Sequence, residues 1–181
     1  MKAVIQRAYG SPEKVLSLQE VEKPVPKDGE ALVRVRAASM HPDVWHVIAG
    51  YPAVLRLMGN GVRRPQLRIP GTDLSGIVES LGKNVTRFKV GDAVFGEPAK
   101  FVWANGGAYA EFAAVPQDFL VLKPENVTFE QAAAVPSSGM IALQNLGGAE
   151  RPRRQSILIN GAPADAWDPS PSRSQKQTAQ A

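Results

Sequence analysis

The sequence contains no cysteine. That excludes thiolate metal sites, redox dithiols, disulfide staples and cysteine nucleophiles. A chain of 181 residues has no need of them, since a domain of this size buries roughly 70% of its unfolded surface on folding. Long apolar runs are also missing. No stretch approaches the ~18 apolar residues of a membrane span, and the opening MKAVIQRAYG has no apolar signal core, so we expect a soluble, cytoplasmic protein with no membrane partner. Acid is absent between Asp43 and Asp73, where Arg56, Arg63, Arg64 and Arg68 fall, and the net charge is +4. Such a stretch attracts anions. Without interleaved aromatics or a binding motif it reads as a solvated loop broken by proline and glycine, and no nucleic-acid partner is expected.

What the chain does contain is alternation. Residues 2–7, 15–21, 30–37, 75–82, 92–96 and 108–115 read as short β segments of period two, separated by turns such as PKDGE at 26–30 and the Gly91–Asp92 step. In the third segment Ala31, Val33, Val35 and Ala37 share one face while Leu32, Arg34 and Arg36 share the other, as in a strand with one solvated side. Short strands at this spacing predict a barrel-like or sandwich core.

The pattern changes at Thr128, which with Gln131 forms a capping box ahead of an alanine-rich run. A helix is expected to start there and to be interrupted by Pro136. Ser137 or Ser138 then caps a second helix, over 138–146, which Gly147 and Gly148 stop. SILIN at 156–160 has the make-up of a buried parallel strand. Beyond Ala162 the composition turns to proline, serine and glutamine with Trp167 as the one large apolar residue, and 163–181 is expected to stay disordered.

In order along the chain stand PVP at 24–26, AASMHPDVWHVIAG at 37–50, PGTDLSG at 70–76, LGKNVTRFKVGDAVFG at 81–96, GGAYAEF at 106–112 and TFEQAAAVPSSG at 128–139. Together these segments resemble the catalytic domain of zinc-independent, quinone-oxidoreductase-like medium-chain dehydrogenases/reductases, over about residues 1–162. The resemblance implies a mainly β, GroES-like barrel-like domain over 1–127 with two or three short helices. Over 128–162 it implies linking helices and only the first strand of a Rossmann domain. Zinc-dependent members place ligands at positions matching His41 and Thr72. One imidazole without a thiolate falls short of a tetrahedral site, so no metal is expected, and His46, five residues on, reads as a hydrogen-bonded histidine.

The resemblance places His41, Asp43 and Tyr51 on a loop facing the nicotinamide, where they would orient a carbonyl or quinone oxygen or supply it with a proton. The residues alone leave open that Asp43 merely caps a helical turn beginning at Val44 and that Tyr51 packs. Ser138, Gly139 and, after the strand, Gly161 fall where the family approaches the coenzyme, although the two on the helix could simply cap and turn. Full-length members bind NADPH or NADH on a glycine-rich turn. Here INGA at 159–162 begins that turn, and no glycine follows through Ala181. Read one frame over, the codons permitted by 163–181 spell SG(R/C)VG(S/P)FAVQIAKANGA, the expected phosphate turn and helix, so a shift of frame near Ala162 is expected. The expectation is therefore the substrate-side part of an NAD(P)H-dependent oxidoreductase that holds no coenzyme and is inactive alone. The alternative is a stand-alone interaction module that self-associates through apolar faces of 138–146 and 156–160.

Overall fold

The computed structural model describes residues 1–54, 56–57, 61–66, 68–98 and 105–145. The strand expected at 156–160, the stop at Gly147 and Gly148, Gly161 and the tail at 163–181 lie outside these residues. Met1–Ile141 form one compact unit, and Ala142–Ala181 are assigned to a second.

The fold is mostly β, and every strand pairing among the described residues is antiparallel. Strand β1 (Lys2–Gln6) pairs with β2 (Leu16–Glu20) in a two-stranded sheet, with the short helix α1 (Pro12–Val15) between them. A curled five-stranded sheet runs in the order β6-β3-β4-β5-β7, from β3 (Glu30–Ala38), β4 (Leu74–Leu81), β5 (Ala93–Gly96), β6 (Phe112–Pro116) and β7 (Leu120–Leu122). Helix α2 (Pro42–Ala49) lies between β3 and β4, and α3 (Phe129–Ala133) and α4 (Pro136–Asn145) follow β7. None of the described helices is long and apolar enough to cross a membrane.

The core lies on one face of the large sheet. Ala31 and Val33 of β3, Leu74 and Val78 of β4, Val94, Val115 and Leu120 are each at most 1% exposed. A fully buried Val or Leu contributes roughly 1.5–3 kcal/mol, so this cluster is what holds the sheet curled. The expected face of β3 carries its two most buried residues, Ala31 and Val33. Leu32, expected on the solvated side, is only 3% exposed, and the pairing of β3 with β4 slips between Leu32 and Val33. A second slip leaves Arg36 without a partner between Val35 and Ala37. Such bulges twist a strand and re-aim its end, and the end of β3 leads directly to His41.

Three expectations on local structure change. The strand expected at 108–115 begins later: Ala110 makes only an isolated bridge to Ala3, and regular pairing runs over Phe112–Pro116. The segment after His41 is an eight-residue helix, capped by His41 and not by Asp43. Helix α4 starts at Pro136 itself, because a proline lacking an N–H fits the first helical turn; the earlier helix ends before it at Ala133. The capping box of Thr128 and Gln131 is present in full, with Thr128 N donating to Gln131 Oε1 at 3.0 Å and Gln131 N donating to Thr128 Oγ1 at 3.2 Å.

Candidate active site

Antiparallel register brings three strand ends to one edge of the sheet. Ala38 pairs with Leu74, and Leu74 with Gly96. One residue beyond each pairing therefore places Ser39, Asp73 and Glu97 side by side. Asp73 is 1% exposed. A carboxylate removed from water must find donors, and Asp73 has several: Ser39 Oγ donates to Oδ2 at 3.2 Å, Ser137 N donates to Oδ2 at 3.3 Å and Ser137 Oγ donates to Oδ1 at 2.6 Å. Tyr109 joins this edge by donating its hydroxyl to Ser39 O at 2.9 Å, and burial followed by the nearby Asp73 charge raises its phenol above the usual value. Gly71 makes room for that ring. It has φ +93°, and a Cβ there would lie 2.5 Å from Tyr109 Cδ1.

Glu97, partly buried just past β5, is pushed up to about 7, first by burial and then by the charges of Asp73 and Asp43. It is thus close to half-protonated at neutral pH, the condition in which a carboxyl group both donates and accepts.

His41 and Asp43 also come together. His41 Nδ1 accepts from Asp43 N at 3.3 Å and lies 3.3 Å from Asp43 Oδ2. The same nitrogen cannot accept from the amide and donate to the carboxylate at once, so protonation at Nδ1 exchanges one contact for the other. Both side chains are less than a fifth exposed. Tyr51 stands at the opposite end of α2 and is 66% exposed. His46 lies in the last turn of α2, its Nδ1 2.9 Å from Tyr51 O, so roughly one and a half turns separate it from His41 at the N-cap. The far end of α2 is anchored by the fully buried Gln6, whose Nε2 donates to Ile48 O at 2.9 Å and whose Oε1 accepts from Asn105 Nδ2 at 3.1 Å.

Metal fits the described residues poorly. Thr72 offers a hydroxyl, buried and without a hydrogen-bond partner, where zinc-dependent members of the resembled family place a ligand, and no group of three or more histidines, aspartates or glutamates among the described residues is arranged to hold a metal ion. Ser138 is exposed. A Cβ added at Gly139 would lie a tight 3.1 Å from Val135 Cγ1.

Reasoning from sequence missed Asp73, Glu97 and Ser39, and it named Ser137 only as a helix cap, whereas Ser137 is the second residue of α4 and binds Asp73. Their signals are faint: an acid among small residues in PGTDLSG, and an acid where β5 meets a proline.

Comparison with known proteins agrees with this architecture. The alcohol dehydrogenase GroES-like domain matches residues 27–125. A chloroplastic quinone-oxidoreductase homolog of Spinacia oleracea is 36% identical over 171 residues, covering 90% of this chain and 48% of the relative. The quinone oxidoreductase structure from Coxiella burnetii superposes with TM-score 0.69 at 32% identity, over 81% of this chain and 44% of that one. A mycobacterial structure complexed with NADPH gives TM-score 0.68 at 27% identity, over 86% and 44%. The chain spans about half the length of the curated relatives it matches. It belongs to the alcohol dehydrogenase GroES-like domain family, on the quinone-oxidoreductase-like side of the medium-chain dehydrogenases/reductases.

Proposed function

We propose that this chain is the substrate-side wall of an NAD(P)H-dependent oxidoreductase acting on a quinone, enone or carbonyl, independent of zinc, located in the cytoplasm and inactive without a coenzyme-binding partner. The observation that carries this reading is the gathering of Glu97 and the His41–Asp43 pair beside buried Asp73, at a strand-end edge of a GroES-like sheet. In this reading Glu97 donates a hydrogen bond to the substrate oxygen and His41 orients it, Asp43 setting the imidazole. Tyr51, exposed at the other end of α2, has no part. The bound coenzyme would supply the hydride, and Ser138, Gly139 and Gly161 would face it only once a coenzyme domain is present.

Following nicotinamide fluorescence while NADPH is added to the purified chain tests this division of labour. No saturable binding from micromolar to millimolar is expected, and micromolar binding would overturn it. Self-association is a further part of the proposal, supported by Val135, Met140 and Ile141, each more than two-fifths exposed. Light scattering of the purified chain is expected to show species larger than one copy.

A further inference from the structure

The buried Asp73 carboxylate does more than its own element requires. It lies ahead of β4, yet its partners are the serine after β3 and the second residue of α4. A helix presents unpaired N–H groups in its first turn, normally capped by a side chain from the preceding residue. The residue before α4 is Val135, which has no side-chain acceptor. Asp73, 64 residues away in sequence, takes that role by accepting from both the amide and the hydroxyl of Ser137. Its negative charge also lies at the positive end of a ten-residue helix.

We propose that Asp73 is the positioning residue of this site: a buried carboxylate that caps α4 through space and locks its first turn, with Ser138 and Gly139, onto the strand ends beside the pocket. Ser39 completes the clamp, because it is tied both to Asp73 and, through its carbonyl, to Tyr109, and it stands two residues before His41. The same carboxylate helps to keep Glu97 protonated. That this edge is a substrate pocket rests on the function proposed above, whereas the clamp can be tested without any substrate.

The test is amide hydrogen exchange of the full chain, with the Glu97 carboxyl followed by NMR through a pH titration. In Asp73→Ala, exchange at the Ser137 and Gly139 amides is expected to accelerate about tenfold or more while the centre of β3 and β4 keeps its protection. Asp73→Asn retains an acceptor oxygen and should keep part of the protection at Ser137. It removes the charge, so Glu97 should titrate lower in Asp73→Asn as in Asp73→Ala. Ser137→Ala keeps the amide donor and loses only the hydroxyl, so exchange there should accelerate less than in Asp73→Ala while Glu97 stays where it was. A merely space-filling Asp73 would not separate the two readouts in this way. Unchanged exchange at Ser137 and Gly139 in both Asp73 variants would overturn the proposal, as would an equal acceleration throughout the sheet. If Asp73→Ala does not fold, Asp73→Asn and Ser137→Ala decide it by the same criteria. Failure of substrate to bind, with the clamp intact, would count against the pocket and not against Asp73.

Discussion

In the middle of the five-stranded sheet, β3, β4 and β5 meet through Val33, Val78 and Val94, none more than 1% exposed. At the end of the same strands they meet through Ser39, Asp73 and Glu97. Asp73 is buried as deeply as the valines. The middle is held by apolar contact, which is non-directional and tolerates a change of shape at modest cost. The end is held by directed hydrogen bonds whose loss leaves a buried group unpaired. Burial alone therefore does not separate scaffold from site in this protein; the chemistry of what is buried does.

The comparison can be strained hardest in the middle. Val78→Ala cuts back a side chain only 1% exposed and should destabilise the fold by roughly 1.5–3 kcal/mol in urea unfolding. A loss under about 1 kcal/mol would mean that the sheet centre is looser than its burial implies.

A smaller effect of opposite sign is expected at the polar end. Glu97 in the folded protein is raised to about 7 from an ordinary 4.5. Between those values the folded state binds more protons than the unfolded one, so stability falls as pH rises through this window. Glutamine imitates the protonated acid and removes that loss. Glu97→Gln should match the parent below about pH 4 and exceed it by roughly 1–2 kcal/mol at about pH 8, after a discount for partial solvent screening. A difference that does not change with pH would show that Glu97 titrates as an ordinary carboxylate.

The smallest change lies off the sheet. Thr128→Ala removes the capping box of α3 and should cost about 1 kcal/mol, seen as a modest drop in Tm. A larger drop would tie α3 to the polar end more closely than the Ser75 hydroxyl, which donates to Phe129 O at 2.6 Å, already does.

What was legible in the sequence follows the same division. Alternation revealed most of β1 to β5 and the Ala31 and Val33 face, because side-chain period two is a local property. It could not reveal the burial of Leu32 or the slip beside it, since pairing between β3 and β4 is not a local property. The Thr128 cap was legible because both partners lie within one turn. The cap of α4 was not, because its acceptor comes from Asp73 far along the chain. His41 and Asp43 were reached through resemblance, and their contact is real, although His41 proved to be the helix cap. Glu97 had no local signal, since its raised proton affinity comes from burial and from charges on other elements.

The most direct test of the site is to add tetramethyl-benzoquinone, a neutral quinone with no free ring position, to the labelled chain and follow the side-chain NMR signals of both histidines and Glu97. The account predicts saturable shifts of the His41 ring and the Glu97 carboxyl, with His46 at the far end of α2 unmoved. Saturation that leaves His41 and Glu97 in place, or that moves His46 equally, would contradict it.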